Sequence, residues 1–175
     1  MKKYIGQLYL NTLSTNTQHA LDDLLLLFYQ DSKDPSFLKL YFNGNHSLET
    51  YIKAKEFLQK SQGTNLLTEK TLLDLSYFSQ QYTIFFNELR HTNDLSLLEK
   101  YDLDLPDELA VEYIKIYISF YEKYLNEHAG YQANQKLESS LRRIRNNFSK
   151  LNYQEFYNTI KKLFPDRKLI KQLLN

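Results

Sequence analysis

Residues 105–130 decide the fold, and they read LPDELAVEYIKIYISFYEKYLNEHAG. This is the longest strongly apolar segment of the chain, and five aromatic residues lie in its middle. Pro106 suits the first turn of a helix, where acidic residues such as Asp107 and Glu108 also complement the helix dipole. No further Gly or Pro occurs before the last residue of the segment. We therefore predict a buried central helix near 107–128, roughly 33 Å long for about 22 residues.

The middle of this segment also has the pattern of a strand. Ile114, Ile116 and Ile118 alternate with other residues, and β-branched side chains have high strand propensity. We favour a helix because both ends of the segment carry helix start and stop signals. As a helix the segment is apolar on nearly all sides, which is typical of a helix in the centre of a bundle.

The rest of the chain is also predicted to be helical. Sheets joined by tight turns need Gly and Pro, and the 175 residues contain only four Gly and three Pro. Ser47, Thr68 and Asp94 precede apolar runs with helical spacing, so we predict them as N-caps. The predicted fold class is all-α, an irregular bundle of about seven to nine helices. Its length fits a single helical domain over residues 1–175.

One of these helices is predicted to be long. From residue 68 to about residue 91, apolar positions recur at alternating spacings of three and four residues. This repeat is typical of a helix that lies along an antiparallel neighbour. Ser79 interrupts the apolar positions and is the small residue at which the neighbour should approach most closely. Shorter helices are predicted at 3–13 and 167–174.

Charge is distributed in blocks, although the formal net charge is only +1. Residues 94–112 contain seven acidic residues and one basic residue, whereas residues 113–175 contain twelve basic and five acidic residues. A block of one sign can steer an oppositely charged partner by long-range attraction. The alternative is that the acidic and basic segments face each other inside the fold.

The sequence offers few groups for catalysis. The chain has no Cys, which excludes disulfides, thiolate catalysis and cysteine-ligated metal sites. It has four His, and no two of them are spaced three or four residues apart. No glycine-rich nucleotide loop or nucleophile elbow occurs. We predict that the protein is not an enzyme and that it has no cofactor and no metal.

These observations favour a non-enzymatic protein-binding module. Its most specific version is an inhibitor or immunity protein, antitoxin-like, that binds a basic partner such as a toxin nuclease. Tyrosines flank the acidic block, and tyrosine supplies contact area and a hydroxyl at protein interfaces. The predicted partner-binding residues are Asp94, Glu99, Tyr101, Asp102, Asp104, Asp107, Glu108 and Glu112.

A second hypothesis, from a different class, is a small-molecule-sensing helical regulatory domain. This function requires an enclosed apolar cavity with a few polar groups. The aromatic residues of the central segment are the natural lining of such a cavity. The predicted lining residues are Tyr113, Tyr117 and Phe120, with Tyr82.

Binding to nucleic acid and insertion into a membrane are not expected. Arg142, Arg143 and Arg145 form a basic cluster, but the chain is close to neutral overall and has no helix-turn-helix signature. No apolar run is long enough to span a bilayer. The first residues lack the apolar region of a signal peptide, so the predicted location is the cytoplasm.

Overall fold

A computed structural model describes residues 15–63, 66–102 and 105–167. Within these residues the chain forms nine α-helices and no strand, which confirms the all-α fold class. The helices are α1 Thr15–Ser32, α2 Ser36–Tyr41, α3 Leu48–Ser61, α4 Glu69–Phe78, α5 Tyr82–Leu89, α6 Leu95–Tyr101, α7 Ala110–Glu127, α8 Tyr131–Asn147 and α9 Lys150–Leu163. A short 3₁₀ turn, Asp107–Leu109, leads into α7. The predicted helix at 3–13 and residues 168–174 of the predicted tail lie outside the described residues.

The chain divides into two compact units, Met1–Phe85 and Phe86–Asn175. The division falls within α5. Each unit contains its own set of buried apolar side chains. The prediction of a single domain over 1–175 stays a prediction.

The core of the first unit lies among α1 to α4. Tyr29, Leu38 and Leu58 are fully buried there, one from each of α1, α2 and α3. The hydroxyl of Tyr29 donates a 2.9 Å hydrogen bond to Oδ2 of Asp74, which is buried on α4. This bond satisfies a polar group that is costly to bury without a partner.

Two predicted N-caps in this unit are confirmed. Ser47 Oγ accepts a hydrogen bond from the backbone N–H of Thr50 at 3.2 Å, at the start of α3. Thr68 Oγ1 accepts from the N–H of Thr71 at 3.3 Å, at the start of α4. Each cap satisfies one of the first N–H groups of its helix, which have no acceptor inside the helix.

The prediction of one long helix over 68–91 is wrong, because the chain leaves the helical conformation after α4. The helix ends at Phe78, and Gln80 has a φ of +58°, in the left-handed region that no right-handed helix contains. Ser79 is buried, and its Oγ donates a 3.3 Å hydrogen bond to the carbonyl of Ser76. Short polar side chains compete in this way for backbone groups. The apolar spacing therefore continued across a break between two helices.

Helix α7 confirms the helical interpretation of the central segment, and the strand alternative is wrong. Its exposed residues include Lys115, Glu122 and Lys123, so the helix is amphipathic. The expectation that it is apolar on nearly all sides is therefore wrong, because charged residues return at helical spacing on one face. Its buried residues are Ala110, Tyr113, Ile114, Ile116, Tyr117, Tyr121 and Leu125.

The last two helices cover the buried face of α7. Helix α9 packs against both α7 and α8. Its buried Phe156 places its ring centroid 6.3 Å from that of Tyr117 and 5.9 Å from that of Tyr121, in edge-to-face orientation. Such pairs stabilise a core beyond the apolar area that they bury. An aromatic core therefore lies beneath α7, and the opposite face of α7 is exposed.

Candidate functional site

Asp94, the first acidic residue of the predicted site, caps α6. Its Oδ1 accepts 2.8 Å hydrogen bonds from both the backbone N and the Oγ of Ser96. These bonds, the side-chain bond first, hold the pKa of Asp94 below its usual value because they stabilise the ionised carboxylate. The predicted N-cap is thus confirmed. The carboxylate is exposed, and its role in partner binding stays a prediction.

Tyr101 and Asp102 are buried, so their expected position on an exposed surface is wrong. Arg143 donates to both carboxylate oxygens of Asp102, from Nε to Oδ2 at 2.5 Å and from Nη2 to Oδ1 at 2.7 Å. The hydrogen bond to this carboxylate also raises the pKa of Arg143. Bidentate pairs of this kind are among the strong hydrogen bonds of proteins. For this pair, the alternative that acidic and basic segments meet inside the fold is correct.

Glu99 belongs to a polar network inside the second unit. It is half-buried, and its Oε1 accepts a 3.3 Å hydrogen bond from Ser140 Oγ. The same Ser140 hydroxyl lies 2.7 Å from the hydroxyl of Tyr121. The hydroxyl of Tyr117 donates to Oδ2 of Asp102 at 3.3 Å. Burial raises the pKa of both tyrosines, so they stay protonated and act as donors within the core.

Glu112 lies on the first turn of α7 and forms two ion pairs. Arg90 contacts its Oε1, and Lys115 Nζ lies 3.4 Å from its Oε2. The hydrogen bond from Arg90 is the largest effect on the pKa of Glu112, which is lowered. Because two cations already neutralise this carboxylate, it adds little to the attraction of a basic partner.

Asp107 and Glu108 are exposed on the 3₁₀ turn, and neither forms an ion pair with any part of the chain that the structure describes. Val111 follows on the first turn of α7, and 46% of its surface is exposed. We call these three residues the acidic edge. Asp104 lies outside the described residues. Of the eight predicted residues, Asp107 and Glu108 are thus adjacent exposed carboxylates without an ion pair among the described residues.

A groove of about 590 Å³ lies in the second unit along α7, and we call it the α7 groove. Leu89, Leu98 and Ile116 border it, but at most 4% of the surface of each is exposed. Two aromatic rings of α7, those of Phe120 and Tyr124, also line it. They are nearly parallel, at 12° and a centroid distance of 5.9 Å. A groove of this size matches the volume of typical small-molecule sites.

Two lysines line the α7 groove. Lys123 Nζ donates a 2.8 Å hydrogen bond to Asn93 Oδ1. Lys136 Nζ lies 4.6 Å from the ring centroid of Tyr124 and 5.8 Å from that of Phe120. An amide oxygen and an aromatic face orient an ammonium group without neutralising its charge. Within the described residues, neither lysine forms an ion pair.

The predicted cavity-lining residues differ in burial, and the small-molecule function stays a prediction. Tyr113 and Tyr117 are fully buried and do not line the α7 groove, whereas Phe120 does. Lys123 and Lys136 are not among the candidate site residues predicted from the sequence. The aromatic residues at 120 and 124, one helical turn apart on α7, were the signal in the sequence for this groove. Lys136 lies on another helix, so its place beside these rings could be known only from the fold.

The comparisons with family models, curated proteins and solved structures found no match to this chain. No group of three or more His, Asp or Glu side chains is arranged to hold a metal ion within the described ranges. Among the helices that the structure describes, none has the length and apolar character needed to cross a membrane.

Proposed function

We propose that the chain is a non-enzymatic protein-binding module and that the acidic edge contacts a partner with a basic surface. The observation that supports this proposal is the exposure of Asp107 and Glu108, two adjacent carboxylates without an ion pair in the described part of the chain. Val111 adds apolar area beside them. A charged rim next to an apolar contact is the usual composition of a protein interface.

The charge of the edge determines what kind of partner fits. Uncompensated carboxylates accelerate encounter with a basic surface and repel an acidic one. A nuclease presents a basic surface to its nucleic acid, so an inhibitor of a toxin nuclease is the most specific version of the proposal. In this version the protein acts in the cytoplasm as an immunity protein, or antitoxin. The proposed contact excludes Tyr101 and Asp102 because they are buried.

The test is affinity capture from cells that naturally make the protein, with three baits side by side. The baits are the wild-type chain, Asp107→Lys/Glu108→Lys, and the control Glu122→Lys/Glu155→Lys. The control reverses two other exposed acidic residues of the second unit and changes net charge equally. We expect one basic protein to be captured by the wild type and the control, and to be lost from the edge variant. Equal capture by all three baits excludes the acidic edge, and capture of no protein excludes the binding function.

Association kinetics with the captured partner give a second measurement. Reversal of the two carboxylates should slow association by about 10-fold or more at low salt, because steering depends on charge near the contact. The difference between wild type and variant should shrink in high salt, which screens exposed charges. A salt-independent difference would instead indicate that the variant has lost its fold, which circular dichroism checks.

The α7 groove favours a second candidate function, binding of a small molecule by a regulatory helical domain. Its volume and its mixture of apolar and cationic lining are the supporting observations. Equilibrium dialysis of the purified chain against a metabolite extract tests this function. Retention of no compound above the level seen with an unrelated protein excludes it.

A further inference from the structure

Two ammonium groups line the α7 groove, and neither forms an ion pair with a described residue. Lys123 is held by the amide oxygen of Asn93, and Lys136 is held over the ring of Tyr124. Each ammonium carries three N–H donors, and a single neutral partner leaves donors available. Both lysine side chains are thus pre-oriented, so they lose less conformational freedom when a ligand binds.

The other charges of the groove do not cancel these two. Arg90 also lines it, but its guanidinium is paired with Glu112. Glu127 is the one carboxylate among the lining residues that the structure describes, and it forms no ion pair with Lys123 or Lys136. The carboxylate of Asp94, outside the lining, interacts electrostatically with Lys136. The lining itself has two lysines without an ion pair against one carboxylate, which gives it a net positive charge. A groove with low-dielectric walls concentrates the field of such a charge.

The apolar part of the groove sets a second requirement. Leu89, Leu98 and Ile116 are almost fully buried beneath it, and the partly exposed rings of Phe120 and Tyr124 form its accessible apolar surface. An inorganic anion makes no use of this surface. A cationic ligand is disfavoured too, because Lys136 already occupies the position over the aromatic rings. The groove therefore suits a ligand with an apolar or aromatic body and an anionic group.

We propose that the α7 groove binds a small organic anion whose sulfonate, phosphate or carboxylate group contacts Lys123 and Lys136 while its apolar body packs on the ring of Phe120. This proposal rests on the second candidate function above and names its ligand class. It is independent of the acidic edge and of any protein partner.

The test uses a matched pair of fluorescent probes. Anilinonaphthalene sulfonate carries the anionic group, and phenylnaphthylamine is the same aromatic body without it. Methanesulfonate, as a competitor, supplies the anionic group without the body. Titrations are made on the full chain, on Lys123→Gln/Lys136→Gln, and on the control Lys150→Gln/Lys162→Gln. The control removes two exposed lysines of α9 and changes net charge equally.

We expect saturable binding of the sulfonate probe by wild type and control, and at least about 10-fold weaker binding by the groove variant, as the loss of two charged contacts predicts. The uncharged probe should bind weakly and equally to all three proteins. Raising the salt concentration should weaken only the sulfonate probe. Methanesulfonate should compete poorly because it lacks the apolar body.

Several results would overturn the proposal. Absence of saturable sulfonate binding, or equal affinity of the wild type and the groove variant, excludes the two lysines as the site. Equal affinity for the charged and uncharged probes excludes an anionic ligand class, although small-molecule binding itself survives. Strong competition by methanesulfonate excludes the contribution of the apolar lining.

The location is checked by amide NMR spectra of the wild type with the sulfonate probe. Shifts should be concentrated at residues 89–93 and 116–128, which flank the groove, and shifts concentrated elsewhere contradict the assignment. The two functional proposals can fail separately. Asp107→Lys/Glu108→Lys should bind the probe like the wild type, and Lys123→Gln/Lys136→Gln should still capture the protein partner.

Discussion

Arg143→Met removes the hydrogen bonds of a buried ion pair while it keeps most of the aliphatic stem. The guanidinium makes two bonds to Asp102, at 2.5 and 2.7 Å, and Nη2 also donates to the carbonyl of Glu99 at 2.5 Å. After the change, the carboxylate of Asp102 retains the hydroxyl of Tyr117, at 3.3 Å, as its partner among the described residues. In the wild type the Asp102 side chain has no exposed area, so its carboxylate depends on these protein donors and not on solvent.

The expected loss follows from this burial. Removing one partner of a buried ion pair typically lowers the free energy of unfolding by about 3–5 kcal/mol, because the other charge stays buried without compensation. The Arg143 side chain is 32% exposed, so its charge is less desolvated than that of Asp102. We therefore expect the lower end of the range, about 3 kcal/mol. Small proteins have only about 5–15 kcal/mol in total, so the change is large.

Arg142→Met is the matched control on the preceding residue of α8. The Arg142 side chain is 76% exposed and pairs with Glu138 one turn away. Exposed pairs of this type contribute about 0.3–0.5 kcal/mol. Urea unfolding at neutral pH compares the stability of the two variants. Hydrogen exchange of the α7 amides tests whether the loss of stability lies in the second unit.

The double variant Asp102→Leu/Arg143→Met separates the ion pair from simple packing. It removes both charges, and apolar replacements of a buried pair are often neutral or stabilising. We expect it to be more stable than Arg143→Met alone. Losses of similar size for Arg143→Met and Arg142→Met would refute the burial argument. A double variant that is less stable than Arg143→Met would refute it too.

Two further predictions concern local contacts. Tyr29→Phe should lower the free energy of unfolding by about 1–3 kcal/mol, because the buried carboxylate of Asp74 loses a donor. The control is Tyr153→Phe, which removes a hydroxyl that has no described hydrogen bond. Equal urea midpoints for the two variants contradict the prediction. Asp94→Ala should cost about 1 kcal/mol at neutral pH as a lost N-cap. Because the folded pKa of Asp94 is lowered, its contribution is present above the unfolded value and is lost as the pH falls through the folded value. The difference in stability between wild type and variant should therefore narrow as the pH falls below the usual aspartate range, and a difference that widens in acid contradicts this.

Local signals were the reliable part of the sequence. Each N-cap, at Ser47, Thr68 and Asp94, pairs a side chain with an N–H two or three residues away. Both partners therefore lie within one short stretch of sequence. The helical state of α7 was predictable for the same reason, since start signals and spacing lie within one segment. The break at Gln80 was missed because periodicity records which residues are apolar and not where the backbone turns.

Long-range pairing was beyond the sequence. Asp102 and Arg143 are 41 residues apart, and no local pattern distinguishes them from Asp107 or Arg142. The fold brings the first pair together between α6 and α8 and leaves the other two residues exposed. The same limit applies to Lys136, whose relation to the rings of α7 depends on how α8 packs.

The block charge of the sequence has two different consequences in the second unit. Part of it is neutralised internally, since Arg143 from the basic segment pairs with Asp102 from the acidic segment. Negative charge stays at the 3₁₀ turn before α7, and positive charge stays in the α7 groove, which is lined by Lys123 and Lys136. A basic partner at the first site and an organic anion at the second therefore make opposite demands, and variants at one site serve as controls for the other.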